Sequence, residues 1–241
     1  MIELAHQIST ARVRCSKSHT IMTNIASDKL TKGHITFAKQ FLRELKYGRT
    51  TQVKSKYIDK GHACEEDAIT LLSRIKGVFL KKNEERIEND FLSGTPDLYV
   101  GESIRKATEG YDTKCSWSLD TFPFPDDELP GDYLFQNHGY MALTGASKWT
   151  TAYCLVNATG PLILNEKYIL LRKLGDVPDN TPAYVEGCKA IEKNLIFDMG
   201  QFQKDNPHFD LHTEVWAPGV PGCPSLSCSV SVAGRRPAFR P

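Results

Sequence analysis

The stretch GTPDLYVGESIRKATEGYDTKCSW, residues 94–117, decides the fold. The segments 96–101 and 109–117 are rich in β-branched and aromatic residues and are bounded by glycine or turn residues, which predicts two strands. Because alternate side chains of a strand share a face, Asp112 and Lys114 are expected to point the same way. An acid and an ammonium group therefore share one face of the second strand, either as a surface ion pair or as part of a site.

Two further acids precede this strand. Pro96 fixes φ and removes an N–H donor, so it suits the start of a strand and presents Asp97 at a defined place. A helix predicted from about Tyr57 to Ile75 has a single apolar stripe, and Glu65 lies on it. The neighbouring acids 66 and 67 are alternatives to Glu65, but the apolar phase favours Glu65. A carboxylate on such a stripe is unfavourable unless it meets a cation.

The combination of three carboxylates and one lysine predicts a metal site. Two carboxylates about 4 Å apart repel by roughly 4 kcal/mol at an effective dielectric constant near 20. A divalent cation reverses that sign, and all-oxygen ligation suits Mg²⁺, with Mn²⁺ as a possible substitute. Such a site can hydrolyse a phosphodiester bond, with Lys114 orienting the attacking water or neutralising developing charge.

Four motifs in this order resemble those of the PD-(D/E)XK nuclease superfamily, and within it the phage lambda exonuclease-like and RecB-like branch. They are Gly61-x3-Glu65, Gly94-Thr95-Pro96-Asp97, Asp112-Thr113-Lys114 and Gln136-x3-Tyr140. The local sequences GHACEEDA (61–68) and DTKCSW (112–117) also resemble those of this branch. The resemblance covers residues 57–157, and it departs from the nearest relatives at Asp112, where they often have Glu.

The resemblance implies a restriction-endonuclease-like α/β core, a central mixed β-sheet flanked by helices. It implies that Asp97, Asp112 and the Thr113 backbone carbonyl bind the metal. Glu65 would bind it directly or through water, and Lys114 would be the catalytic lysine. Further residues that it places at the site or on DNA are Gln136, Tyr140, Arg14 and Ser16.

A basic run between residues 28 and 60 is either a solvated helix face and loop or a local patch for a polyanion. Its candidate DNA contacts are Arg49, Lys54 and Lys56. The net charge of the chain is only +1, so the whole molecule has no general attraction for nucleic acid. Trp117 and Phe122 either stack on bases or close the core.

The rest of the chain extends the α/β pattern. Helices are predicted over 33–47, 131–145 and about 181–205, and strands over 77–82, 85–94 and 149–158. Residues 161–174 are expected to be extended. One nuclease domain is expected over 1–215, followed by a disordered tail over 216–241, which is dense in Pro, Gly and Ser.

Composition limits the setting of the protein. There is no run of 18 apolar residues and no apolar signal core at the N-terminus, so neither a membrane span nor export is expected. Seven cysteines without tight spacing fit a reducing compartment, so we expect a cytoplasmic protein, in a host cell if it is phage-encoded. The cysteine spacing also does not match that of an iron–sulfur cluster or a zinc site.

The leading functional hypothesis is a Mg²⁺-dependent DNA exonuclease of the phage recombination type, acting on linear duplex. The resemblance implies 5′ to 3′ polarity, a homotrimer and a single-strand annealing protein as partner. The same motif chemistry is compatible with an endonuclease. A degenerate, non-catalytic DNA-binding module is the alternative from another class, and the intact set of acids and lysine argues against it.

Overall fold

The computed structural model describes residues 8, 10–24, 26–27, 29–50, 53–123, 127–197 and 204, and the backbone of two strands at 212–217 and 227–233. The helices that it defines are α1 (Ser18–Met22), α2 (Lys32–Tyr47), α3 (Lys56–Lys76), α4 (Gly131–Thr144), α5 (Gly160–Lys173) and α6 (Pro182–Leu195). None of the helices in this part of the chain is long and apolar enough to cross a membrane.

The strands form two mixed sheets. They are β1 (Val13–Arg14), β2 (Ile87–Glu88), β3 (Leu92–Gly94), β4 (Leu98–Gly101), β5 (Ala107–Cys115), β6 (Lys148–Cys154), β7 (His212–Ala217) and β8 (Ser227–Ala233). The small sheet has the order β1-β3-β2, and the larger has the order β4-β5-β6-β8-β7. The predicted α/β class with a central mixed sheet is confirmed.

Strand β5 lies inside the larger sheet and has different neighbours on its two sides. On one side it runs parallel to β6 along its length, with Asp112 opposite Thr151 and Lys114 opposite Tyr153. On the other side β4 pairs with it antiparallel, and this pairing starts at Leu98 opposite Tyr111. The last four residues of β5 therefore extend beyond β4 and leave an open edge.

Helix α3 covers one face of this sheet. Ser55 caps its start by accepting the N–H of Ile58 at 3.2 Å, and Gly77 ends it in the left-handed conformation that glycine adopts without steric cost. Its buried side chains recur at helical spacing and pack on β4, β5 and β6; they are Lys60, Cys64, Ala68, Ile69, Leu71 and Leu72. The predicted helix from Tyr57 to Ile75 is confirmed.

Helix α4 and the N-terminal segment cover the opposite face. Tyr140 and Met141 of α4 pack with Trp149 of β6 and with Cys15 in a buried cluster. Gly110 of β5 permits this packing, because a Cβ atom there would lie 2.3 Å from the Trp149 ring. The sheet is therefore sandwiched between helices, which matches the flanked sheet predicted from the sequence.

The expectation of an extended segment over 161–174 is wrong, because this stretch forms α5. Its two short apolar runs, 162–164 and 168–171, do not by themselves separate strand from helix, and the length of about fourteen residues is typical of a helix. Pro161 sits in the first turn, where its missing N–H costs no hydrogen bond. Leu162 and Ile163 pack against Trp117 and Leu195, so tertiary contacts hold the helical form.

Three other boundaries differ from the sequence prediction. The stretch 77–82 forms no named strand, and Lys82 makes a single bridge with Leu98. Helix α6 ends at Leu195, and residues 198–203 and 205–211 of the predicted helix and its surroundings lie outside the described residues. Within the expected tail, 227–233 forms β8, because the alternation of Ser with Cys or Val in SCSVSVA is a strand pattern. Most of the remainder of 216–241 also lies outside the described residues, so the domain boundary stays a prediction.

Candidate active site

The Asp97 carboxylate lies against the open edge of β5. Its Oδ2 accepts the backbone N–H of Thr113 at 2.9 Å and faces the Thr113 hydroxyl at 3.3 Å. The start of β4 is itself tied down, since Asn83 donates its backbone N–H to the Asp97 carbonyl at 2.7 Å and its amide to the Pro96 carbonyl at 2.9 Å. A side-chain carboxylate thus takes the place that a neighbouring strand would fill.

The same geometry gives the Thr113 carbonyl a defined direction. In a strand, the N–H and C=O of one residue point to the same side of the chain. Because the Thr113 N–H meets Asp97, its carbonyl also points to the open edge. An oxygen is therefore available there beside the Asp97 carboxylate, as the resemblance requires of a metal ligand.

Asp112 and Lys114 share one face of β5, as the strand pattern predicts. The Lys114 ammonium makes an ion pair with Asp112 Oδ2, and the Asp112 side chain is buried. Gln136 of α4 donates its amide to Asp112 Oδ1 at 3.2 Å. The acid therefore has a cation on one oxygen and an amide on the other.

Gln136 and Tyr140 lie on the inner face of α4 and connect three parts of the site. The Gln136 amide also donates to the Tyr140 hydroxyl at 3.0 Å, and that hydroxyl donates to the Thr95 carbonyl at 3.4 Å. Gly94 makes room for the ring, because a Cβ atom there would lie 2.7 Å from Tyr140. Tyr140 thereby fixes the Gly94-Thr95-Pro96 segment that presents Asp97.

Glu65 points from α3 toward the site but has another partner. Its Oε2 accepts from the Lys82 ammonium at 2.7 Å. Glu66 and Asp67 are exposed, whereas Glu65 is partly buried, which agrees with the choice made from the apolar phase. Its charge acts on Asp97, so the three acids share one electrostatic neighbourhood.

The electrostatics of the site centre on Asp97. Burial, followed by the nearby charge of Asp112, raises the pKa of Asp97 to about 7, although Lys114 and the Thr113 N–H act in the opposite direction. For Lys114, burial lowers the pKa, but the carboxylates of Asp112 and Asp97 outweigh it, so the net shift is upward. The lysine is therefore charged, but its single positive charge does not balance two ionised aspartates.

The donor set is suited to a hard divalent cation. Carboxylates from β4 and β5 and one main-chain carbonyl are the oxygen ligands that Mg²⁺ prefers. In the rotamers of the described residues, no three acidic, imidazole or thiol side chains already surround one point as a metal site does. Lys114 and Lys82 hold two of the acids instead, so cation binding requires these pairs to open.

The catalytic cleft, as we call the cavity above these acids, has a volume of about 540 Å³. Glu65, Asp97, Thr113 and Lys114 form its polar floor. Its aromatic wall consists of Tyr57, Trp117, Tyr133 and Tyr153. The Lys114 ammonium lies 4.9 Å from the centre of the Tyr133 ring, at a distance that allows a cation–π contact.

The comparisons with known proteins concern the fold. The chain is similar to the crystal structure of a phage-related exonuclease from Haemophilus somnus 129PT, with 28% identity, a TM-score of 0.60, and coverage of 78% of this chain and 95% of that one. The chain has the fold of the PD-(D/E)XK exonucleases. An alkaline exonuclease from Laribacter hongkongensis is more distant, at 14% identity and a TM-score of 0.46, with coverage of 85% of this chain and 94% of that one. No family model matches the chain, and no curated protein does.

Within this PD-(D/E)XK core, Lys60 is the residue for which the sequence prediction was furthest from the structure. It belongs to the basic run, yet its side chain is fully buried. Its ammonium donates to the carbonyls of Ser116 and Trp117, at 2.7 and 3.0 Å. Burial lowers the pKa of Lys60 to about 8. This lysine ties α3, which carries Glu65, to the chain leaving β5, which carries Lys114.

The residues predicted to contact DNA are divided between two parts of the PD-(D/E)XK fold. Lys56 lies at the rim of the catalytic cleft, with its ammonium 4.5 Å from the centre of the Trp117 ring. Arg14 lies elsewhere and pairs with Glu44 at 3.1 Å. The remaining three, Ser16, Arg49 and Lys54, are exposed. Trp117 and Phe122 are buried, which favours core packing over base stacking.

Sequence reasoning missed several residues of the site. Lys82, Asn83, Tyr133 and Tyr153 belong to no motif quoted from the sequence, although each contacts a motif residue or lines the cleft. A signal existed for Tyr133, which is three residues before Gln136 and hence on the same helix face. No comparable signal marked Lys82, because its relation to Glu65 depends on the path of the chain between α3 and β4.

Proposed function

We propose that this protein is a metal-dependent DNA nuclease, and that its site is the floor of the catalytic cleft. The observation that carries the proposal is the meeting of Asp97, Asp112 and Lys114 at the open edge of β5. Burial, followed by the charge of the nearby Asp112, raises the pKa of Asp97, which is unfavourable for a protein that binds no cation. A bound divalent cation would offset the repulsion between these acids.

In this proposal Asp97, Asp112 and the Thr113 carbonyl hold Mg²⁺, or Mn²⁺ as a substitute, and Glu65 joins them directly or through water. When bound, the cation supplies positive charge at the scissile phosphate and lowers the pKa of a bound water. Glu65 must exchange the Lys82 ammonium for the cation if it is to be a direct ligand. Lys82 then becomes free to meet a phosphate oxygen.

Lys114 is proposed as the catalytic lysine. Its ammonium lies between Asp112 and the Tyr133 ring, so it is held at the cleft and stays charged across the neutral range. It can donate a hydrogen bond to the attacking water or to a phosphate oxygen as negative charge develops there. Gln136 and Tyr140 are positioning residues, since the first holds Asp112 and the second holds the segment that presents Asp97.

DNA as substrate and an exonucleolytic mode are supported by the similarity to the phage-related exonuclease, most of whose length this chain covers. We propose 5′ to 3′ degradation of linear duplex in recombination, a homotrimer, and a single-strand annealing protein as partner. These finer features rest on the family resemblance alone. An endonuclease on the same core has identical floor chemistry and differs in access to the cleft.

One digestion tests activity, cation need and mode together. End-labelled linear duplex and a covalently closed circle are incubated with the protein in Mg²⁺, in Mn²⁺ and in EDTA. We expect shortening of the linear DNA only with a cation, and no cutting of the circle. Cutting of the circle would establish the endonuclease instead. A protein that binds DNA but cleaves neither form would be a non-catalytic module.

A further inference from the structure

Helix α2 is amphipathic, yet little of it is covered by the rest of the protein. None of its sixteen residues is buried, whereas α3 has six buried side chains. Its ends are well defined, since Thr31 accepts the N–H of His34 at 3.2 Å and Gly48 ends the helix in the left-handed conformation. Most helical stability in proteins comes from covering an apolar face. The accessible apolar side chains of α2 are therefore available to another molecule.

These side chains have the spacing at which one helix packs along another. They follow one another at intervals of three, four and three residues, and we call them the apolar row: Ile35, Ala38, Leu42 and Leu45. Ile35 and Leu42 are 44% and 42% exposed, Ala38 is exposed as well, and Leu45 is partly exposed. Alternating intervals of three and four define the a and d positions of a heptad, which are the contact positions between two helices.

A row of lysines flanks the apolar row. Lys32, Lys39 and Lys46 recur every seven residues, and all three are exposed. None of them makes an ion pair with a carboxylate of the described residues, and Glu44, the one acid of α2, is paired with Arg14. Charges beside the a and d positions decide which helix is accepted as a partner. The lysine row therefore favours a helix that presents carboxylates along its flank.

An apolar groove with a volume of about 560 Å³ adjoins the same face. Its apolar lining includes Ile21, Leu30, Phe37, Ala38, Phe41 and Leu42, two of which belong to the apolar row. Leu30 is 75% exposed. The described lining contains Lys29 and His34 but no acid. An exposed apolar surface with a polar rim is typical of a protein interaction site, and apolar anchors at this spacing fit a helix that lies along a groove.

Two other occupants fit this face less well. Interfaces with DNA are more polar than interfaces between proteins, whereas here the lysines flank exposed Ile35 and Leu42. A second copy that used the same face would offer only the same lysines, because a self-complementary contact presents the same residues from both sides. A helix with an apolar face and an acidic flank matches both the apolar row and the lysine row.

We propose that the apolar row of α2, with its lysines and the adjoining groove, docks an amphipathic helix of a partner protein. That helix has large apolar residues at its a and d positions and acidic residues beside them. The groove shares no lining residue with the catalytic cleft, so the proposal does not depend on the nuclease function. Its role is to attach this protein to a second one through a surface other than the cleft.

The experiment uses a fluorescein-labelled synthetic peptide of about three heptads, with Leu at a and d and Glu at e and g. Repulsion between the Glu residues keeps the free peptide from pairing with itself. Fluorescence anisotropy is recorded as wild-type protein is added. We expect saturable binding of one peptide per chain, which weakens as salt screens the charges. A control peptide with Lys in place of every Glu should not bind.

Variants of the exposed face test which residues are responsible. Leu42→Asp should weaken binding at least about tenfold, since it removes an apolar contact and adds a like charge. Lys39→Glu combined with Lys46→Glu should abolish binding of the acidic peptide and allow binding of the Lys peptide. The matched controls are Leu164→Asp on α5 and Lys189→Glu on α6, both at exposed positions, and they should keep the wild-type affinity.

Three results would overturn the proposal. The first is a wild type that shows no saturable binding, or a Leu42→Asp variant that binds the acidic peptide as tightly as the wild type. The second is a sedimentation experiment in which Leu42→Asp dissociates an oligomer of the wild type, because the face would then join copies of this chain. The third is a Lys39→Glu, Lys46→Glu variant that loses affinity for linear duplex but not for the acidic peptide, which would make the face a nucleic-acid surface.

Discussion

The catalytic cleft and the cavity between the N-terminal segment and α2 differ in how their charged side chains are paired. At the catalytic cleft, Lys114 contacts Asp112 and Lys82 contacts Glu65, so two of the three acids are paired with a lysine. The second of these cavities is lined by five cations, Arg12, Arg14, Lys17, Lys32 and Arg86, of which Arg14 alone has a described carboxylate partner, Glu44. Paired charges at a buried floor fix geometry and can be exchanged for a cation, whereas unpaired charges at a surface attract a polyanion over a distance.

The largest effects should follow from breaking the pairs of the catalytic cleft. Lys114→Met and Asp112→Asn should each lower the cleavage rate by at least about 100- to 10,000-fold, the range for loss of a group that stabilises the transition state or transfers a proton. Single-turnover cleavage of saturating linear duplex measures this. Retention of wild-type rates in either variant, with unchanged circular dichroism, would remove these residues from the mechanism.

A smaller effect on activity is expected from replacing Gln136, which contacts Asp112 and the Tyr140 hydroxyl. Gln136→Ala removes the amide from Asp112 and from the Tyr140 hydroxyl, and loss of such an outer partner typically costs 10- to 100-fold in metal affinity or activity. The loss should be partly recovered at higher Mg²⁺ concentration, because the aspartate is misplaced but still present. Equal loss at all Mg²⁺ concentrations would contradict a positioning role.

The pKa of Asp97 predicts how pH acts on the cation-free protein. With a pKa near 7 when folded and about 4 when unfolded, the folded state binds more protons between these values, so stability falls as pH rises from 4 to 7. Asp97→Asn removes this dependence and should raise the free energy of unfolding in EDTA at pH 8 by roughly 1–3 kcal/mol. Mg²⁺ should stabilise the wild type more at pH 8 than at pH 6. Denaturation of both proteins at the two pH values checks this, and an Asn variant less stable than wild type in EDTA would refute it.

Replacement of Lys60 is expected to have the smallest effect on the cleavage rate, but it should lower the stability of the fold. Lys60→Met leaves the Ser116 and Trp117 carbonyls without their donor, which should lower the free energy of unfolding by about 1–3 kcal/mol. Lys189→Met, at an exposed position, is the matched control and should change it by less than about 0.5 kcal/mol. Urea denaturation distinguishes them. Equal stability of the two variants would show that the buried ammonium contributes nothing to holding α3 against the end of β5.

The sequence predicts features that depend on local periodicity. It does not predict features that depend on contacts between distant parts of the chain. The shared face of Asp112 and Lys114 and the inward phase of Glu65 depend on strand and helix periodicity, and the structure has both. The extended form expected for residues 161–174 was wrong because short apolar runs are ambiguous until their packing against Trp117 is known. Lys60 lies on the buried stripe of α3, four residues before Cys64, but no local pattern predicts its partners or that of Lys82, since they lie on other elements.

The most direct test of the account is diffraction from crystals grown with Mn²⁺, recorded at a wavelength where manganese scatters anomalously. An anomalous peak within about 2.0–2.3 Å of oxygens from Asp97, Asp112 and the Thr113 carbonyl is the predicted result, since hard-cation ligands lie near these distances. A cation bound elsewhere on the protein, with Asp97 and Asp112 still held only by Thr113, Gln136 and Lys114, would contradict the account.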